Sequence, residues 1–394
     1  MTDASSLPEF QTGAEEYKSN PIGYLEELSR QCPYAKSDRG YVILRRKEAR
    51  PALQMDIPIS VYHIPAETSP YLAERTKEPL LTRHGPEHVK LRMMLTRVLR
   101  ERVIDALRPR IRELFLGLLQ PLLERGGGDL VADLFHPFPA RVLAPMLGLP
   151  LADIEMVSGW VSSSSRWTNI YNPPDTLAEI EQAWRSLEAY LLELLRERRN
   201  NLGTDIFSEL IREMEGHREL EVVGIAMELT RAGMDTTRRQ LANTMHALIT
   251  HPSEWEKLKA NPGIAHRVVE EGMRFAGITH NLARAMIDDT TLDGLTVEKG
   301  ETLTIMAMAV NRDPEVFADP GTFNAERSPC PHMSFGFGSH SCVGAPLARM
   351  EMTEAFTLLA ERVDRFELVG EVPRSDVSTG LVPTKLQVRI FLKP

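Results

Sequence analysis

Cysteine is scarce in this chain. Its three residues, Cys32, Cys330 and Cys342, form an odd and scattered set among 394, which gives no disulfide framework and fits a reducing compartment. Long apolar runs are missing too: the longest, LFLGLLQPLL from Leu114 to Leu123, falls well short of the roughly 20 residues a membrane span needs. The polar, acidic opening MTDASSLPEFQTGAEEY carries no secretion or import pattern, so a cytoplasmic protein without a membrane anchor is expected. No repeat, low-complexity tract or Gly/Ser linker divides the chain, which predicts a single domain over residues 1–394. A net charge of −9 argues against a nucleic-acid partner, although the charge is unevenly placed: Arg83 to Arg112 holds nine Lys or Arg against Glu87, Glu101 and Asp105.

The hydrophobic content of 42% is enough for a large core. Apolar residues at three-to-four spacing in HVKLRMMLTRVL, IEQAWRSLEAYLLELLRERR, ELEVVGIAMELTRAGMDTTRRQLANTMHALITH and EWEKLKA predict a helical middle. Strand patterns occur in GYVILRR, in TTLDGLTVEKGETLTIMAMAV with its Asp293-Gly294 turn, and in KLQVRIFL. The expected class is mainly α with a small β portion near residues 35–65, 280–310 and 375–394.

One cysteine stands in an unusual setting. FGFGSHSCVG, Phe335 to Gly344, surrounds Cys342 with three glycines, and a helical pattern follows from Ala345. A lone Cys is commonly a small buried hydrophobe. Glycines here let the backbone turn tightly and let a flat ligand approach. Peptide N–H groups and a helix start near the sulfur favour thiolate, as a metal ligand requires. Cys330, His332, His340 and Cys342 form a C-x-H…H-x-C set that could hold zinc, but its one-residue spacings are not those of structural zinc sites and leave the glycines unexplained.

This loop resembles the F-G-x-G-x-H-x-C-x-G signature of the cytochrome P-450 superfamily, the haem-thiolate monooxygenases, and Phe335, Gly336, Gly338, His340, Cys342 and Gly344 fill its positions. Three further patterns follow in family order. EGMR with ADPGTFNAER makes Glu271, Arg274 and Arg327 similar to the buried Glu-Arg-Arg network that braces the cysteine loop. RAGMDTT resembles the distal-face helix site: Ala232 and Gly233 would leave room for dioxygen, while Asp235 and Thr236 would be the catalytic acid-alcohol pair. HGPEHVKLRMM places His88 and Arg92 one helical turn apart. By resemblance this pair, with Arg284 and His340, holds the haem propionates. The lead-in differs from the common D-P-P-E-H form, reading His84-Gly85-Pro86-Glu87-His88.

The resemblance implies the triangular helical cytochrome P-450 fold, haem b, and Cys342 as the axial iron ligand. It implies hydroxylation or oxidative dealkylation of a small organic substrate with O2. Ferredoxin and a ferredoxin reductase would deliver electrons from NAD(P)H and could dock on the basic Arg83–Arg112 segment, whose plainer reading is a solvated helix face. A peroxide-using or O2-independent enzyme and a non-catalytic haem sensor or carrier are the alternatives. Substrate contacts are expected from Glu228 and Arg231, which could instead pair with each other at i,i+3, and from His280 and Asn281. Trp160 to Tyr171 and Ser378 to Pro383 are the expected pocket-lining loops.

Overall fold

The computed structural model describes residues 6–57, 67–77, 79–168, 174–375 and 382–393. Helices dominate, as the spacing of apolar residues predicts. The longest, Glu219–Thr250, has 32 residues and runs through the main hydrophobic core, which buries Val223, Ile225, Leu241, Met245 and Leu248 on it. Helices Glu101–Glu124, Pro137–Leu147, Ile154–Ser164 and Pro174–Arg199 join that core, and Ala265–Phe275 and Ala345–Arg362 close it from the other side. LFLGLLQPLL lies inside Glu101–Glu124, and among the described residues no helix is long and apolar enough to cross a membrane.

Among the described residues nine short strands follow in chain order: β1 (Tyr34–Ser37), β2 (Gly40–Ile43), β3 (Gly127–Asp129), β4 (Leu282–Ala285), β5 (Thr290–Leu292), β6 (Leu295–Val297), β7 (Thr302–Ile305), β8 (Val363–Leu368) and β9 (Gln387–Leu392). One sheet has the order β1-β2-β7-β4, with β2 parallel to β7 in the register Gly40↔Thr302 to Ile43↔Ile305. A second has the order β3-β9-β8. The hairpin β5-β6 turns at Asp293 and Gly294, both at positive φ (48° and 87°), the backbone that an Asp-Gly pair adopts most readily.

The three expected β regions therefore contain strands, with differences. Ala307–Val310, in the AMAV tail read as strand, is a short helix that begins just past the last bond between β2 and the end of β7, Met306 N–H to the Ile43 carbonyl. Residues 46–54, inside the expected β region 35–65, are helical, and 58–66 lie outside the described residues. β3 and β8 were not anticipated; β3 is only GGD and pairs with a strand some 260 positions away, which local pattern cannot reveal.

Candidate active site

The cysteine loop is built by its backbone. The Cys342 N–H donates to the Phe335 carbonyl (2.7 Å) and closes the turn. Gly338 sits at φ 76°, and a Cβ there would lie 2.3 Å from the Leu53 carbonyl oxygen, so only glycine fits against helix Arg46–Gln54. Gly344 and Ala345, at the start of helix Ala345–Arg362, direct N–H groups at the sulfur, and the charges of Arg92 and Arg349 act on it. The expected net push towards thiolate is not met. Although Cys342 is among the exposed residues, desolvation by the surrounding protein raises its thiol pKa and outweighs those four influences.

Beside the loop, the rings of His88 and His340 stack with centroids 4.2 Å apart. Arg92 Nη2 donates to the Ser341 carbonyl and to its Oγ (2.9 Å). Arg284 is 1% exposed, and among the described residues its side chain makes one hydrogen bond, from Nη1 to the adjacent Ala283 carbonyl (3.2 Å). Burial pushes Arg284 down to about 10 and His340 down to about 4. Asp56, not singled out in the sequence, accepts the Gly85 N–H and places Oδ1 3.3 Å from His88 Nδ1 and 3.6 Å from His340 Nε2. The His340 contact is too long for a hydrogen bond and the His88 contact is at best a weak one, so among the described residues His88 Nδ1, His340 Nε2 and Arg284 Nε are buried without a well-formed hydrogen bond. Buried donors of this kind call for acceptors. Two carboxylates on a flat macrocycle beside a cysteine sulfur would meet that need, so the donor set fits a haem. The zinc alternative fails on geometry. His332 Nε2 meets Glu270 (3.1 Å), Cys330 Sγ lies by Glu271 (3.7 Å) and His340 stacks on His88; among the described residues the one cluster with metal-ligand spacing is Asp56, His88 and His340.

Two adjacent acids brace the loop. Glu271, with a fully buried side chain, accepts from Arg274 Nε and Nη2 (both 2.7 Å), from Arg327 Nε (2.9 Å) and from the Asn324 N–H (2.9 Å), so the three residues expected to form a network do so. Glu270 was not anticipated. It takes His332 and a two-pronged contact from Arg349 (2.6 and 2.9 Å), whose guanidinium covers the Phe335 ring. Burial alone would raise Glu270, but His332 and Arg349 bring it down to about 2.

On the central helix Glu219–Thr250, Ala232 and Thr236 are exposed while Arg231, Met234, Asp235 and Thr237 around them are buried. Thr236 Oγ1 donates to the Ala232 carbonyl (2.7 Å). Gly233 faces elsewhere than expected: a Cβ on it would lie 2.4 Å from Leu143 Cδ2, so its small size lets helix Pro137–Leu147 approach. Asp235 is held by Arg238 and by Arg239 (2.9 Å), and Arg238 also reaches Ser162 Oγ (3.1 Å).

A further acid escaped the sequence reading. Glu351, 1% exposed on helix Ala345–Arg362, hydrogen-bonds Thr237, and burial raises its carboxyl well above the ordinary 4.5. An acid that stays protonated when folded but ionises when unfolded loses stability as pH rises above 4.5 towards its folded value. Glu351→Gln is therefore expected to melt higher than wild type above pH 4.5 and to show a flatter pH dependence there. Parallel curves for the two proteins would show that Glu351 does not titrate in this way.

The expected substrate residues do not form one group. Glu228 accepts the Leu80 and Leu81 N–H groups (the latter 3.3 Å), and burial raises it to about 7 against their pull. Arg231 lies over the Trp184 ring at 4.5 Å and feels the charges of Glu228 and Asp235. His280 lines a separate cavity with Thr279; Asn281, the next residue, does not. Residues 169–171 and 378–381 fall outside the described residues. Much of the basic segment is internally paired, Arg108 and Arg112 on Glu354 and Arg83 on Glu87.

Comparison with known proteins agrees with this arrangement. Residues 264–388 match the family model for cytochrome P-450. The chain is 34% identical over 316 residues to cyclomarin C epoxidase CymV of Salinispora arenicola, covering 78% of this chain and 79% of that one. It is 33% identical over 308 residues to the cytochrome P-450 monooxygenase PikC of Streptomyces venezuelae, covering 76% and 71%. A solved BioI cytochrome P-450, bound to an acyl carrier protein ligated with hexadec-9Z-enoic acid, superposes with a TM-score of 0.89 at 26% identity over 95% of this chain and 100% of that one. A cysteine loop braced by a buried Glu-Arg-Arg network, a cluster of donors suited to haem b, and likeness on this scale place the chain in the cytochrome P-450 family, as a haem-dependent monooxygenase of the bacterial type.

Proposed function

We propose that Cys342 ligates the haem iron, that His88, Arg92, Arg284 and His340 hold the propionates, and that Asp235 and Thr236 deliver protons while a small organic substrate is hydroxylated or oxidatively dealkylated. The observation that carries this reading is the set of buried donors without a well-formed hydrogen bond among the described residues, His88 Nδ1, His340 Nε2 and Arg284 Nε, beside a thiol on a glycine-built loop. Haem, when bound, activates dioxygen through its thiolate-ligated iron. The remaining work falls to side chains. Reducing oxygen consumes protons; Thr236 Oγ1 is the hydroxyl on the exposed stretch of the central helix, and Asp235 is the carboxylate next to it. Arg238 and Arg239 hold that carboxylate, so it must swing away from them to hand over a proton.

Electrons come from a separate carrier, a ferredoxin served by its reductase, in a cytoplasmic setting. Helix Gly85–Val98 supports a docking site for it: His88 and Arg92 point inward, whereas Val89 and Met93 are 47% and 64% exposed, with Lys90 and Arg97 on the same helix, both meeting Glu213 (3.4 Å each), and Arg100 just after it. An apolar centre with a basic rim suits an acidic partner.

Thr236→Ala tests the proton route. The variant is expected to bind haem and oxidise NADPH at a rate near wild type, while product per NADPH falls about ten-fold or more and peroxide accumulates instead. Unchanged coupling would remove Thr236 from the route and favour a peroxide-using enzyme.

A further inference from the structure

Away from the cysteine loop lies a cavity of about 330 Å³, between the first turn of helix Pro21–Gln31, the last turns of the central helix and the segment after helix Ala265–Phe275. None of Cys342, Ala232 and Thr236 lines it. Its charge is one-sided. Arg274, Arg312, Arg374, His246 and His280 line it, and no Asp or Glu does among the described residues. Arg274 is neutralised by Glu271, but that carboxylate also serves Arg327.

Arg312 is the decisive residue. It is 7% exposed, and among the described residues its guanidinium makes one hydrogen bond, from Nη2 to the Phe275 carbonyl (2.5 Å), while stacking over the Phe275 ring at 5.3 Å. It has no ion pair among the described residues; Glu26 and Glu271 act on it only through space, and the neighbouring Arg274 charge opposes it. Five N–H donors with one acceptor, on a cation this deeply buried beside another, form an arrangement that a bound anion would relieve. The remaining wall is mixed: Asn243 and Thr250 offer polar groups, and Ile22, Phe275 and Met308 offer apolar surface.

We propose that this cavity is a second ligand site, separate from the haem pocket, for a small organic carboxylate. The carboxylate pairs with Arg312, with Arg374 and His246 at the rim, and an apolar body rests on Phe275, Ile22 and Met308. A guanidinium fork matches a carboxylate in two parallel hydrogen bonds, and the apolar wall favours an organic anion over an inorganic one.

Calorimetric titration of benzoate and of inorganic phosphate into the haem-loaded protein tests this, with the Soret band followed in parallel. Benzoate is expected to bind at one site without moving the Soret band, and phosphate about ten-fold more weakly or worse. Arg312→Met, which keeps the stem and removes the charge, is expected to retain the haem spectrum and lose about ten-fold or more in benzoate affinity. Should that variant fail to fold, Arg374→Ala at the rim is expected to weaken benzoate by a smaller factor. The proposal is overturned if benzoate gives no heat, if the folded variants bind it as wild type does, if phosphate binds equally well, or if binding shifts the Soret band, which would place the ligand at the haem.

Discussion

Cys342→Ala is expected to abolish the reduced carbon monoxide band at about 450 nm, the wavelength in the family's name, and all monooxygenase turnover with it. The loop should survive the change, because the bond that closes it runs from the Cys342 backbone to the Phe335 carbonyl and the positions of Gly338 and Phe335 are set by Leu53 and Arg349. The loss then reports on sulfur alone. Cys330→Ala supplies the contrast. Its thiol is pushed up to about 12, by burial first and then by the Glu271 charge, so it is a poor ligand and its removal should leave the spectrum intact. A band at about 420 nm in fresh wild-type protein, or an unchanged spectrum in Cys342→Ala, would refute thiolate ligation by this residue. Burial raises the Cys342 thiol in the protein alone, so the two N–H groups and two arginines around it do not by themselves ionise it. Metal coordination must supply the remainder, as it does wherever a coordinating thiol loses its proton.

The second large effect is expected at Glu271, and it concerns stability. Glu271→Gln keeps the shape but leaves Arg274, whose side chain is fully buried, with Arg327 and no anion between them. Breaking a buried pair on one side costs about 3–5 kcal/mol, a large share of a typical domain's stability. Urea unfolding of the haem-loaded variant should show a midpoint lowered accordingly, and haem should leave it faster because segment 318–327 is tied to helix Ala265–Phe275 through Arg274 and Arg327, which Glu271 holds. A midpoint within about 1 kcal/mol of wild type would show that the network does not carry the loop.

What the sequence made legible was mainly local. The Phe335–Gly344 loop, the Asp293-Gly294 turn and the Glu271–Arg274 spacing are each set by residues a few positions apart, and the structure places them as their spacing suggests. Partners distant in the chain were not legible. Asp56 reaches His88 and His340 across 32 and 284 positions, and nothing in its neighbourhood marks it. Glu270 stands next to an acid that was noticed, yet its own partners, His332 and Arg349, lie on other elements. Gly233 was read for what it would leave open, whereas its missing side chain is filled by Leu143, a contact between two helices. The direction of the Cys342 shift was misjudged for a related reason: N–H groups near a sulfur can be read from a loop, but burial is a property of the folded whole.

The sheet β3-β9-β8 carries a consequence for how the chain is made. Its middle strand is the last in the sequence, and β3 pairs with it in the register Gly128↔Val388, so the two partners are 260 residues apart. At a ribosomal rate of about 5–20 residues per second, β3 waits roughly 13–50 s for its neighbour to be synthesised. Over that interval β3 and, later, β8 are edges with unsatisfied backbone groups, open to pairing with other nascent chains. The helical body gathers from contacts closer in sequence and can form meanwhile, but the sheet cannot be completed until residues 387–392 have been made.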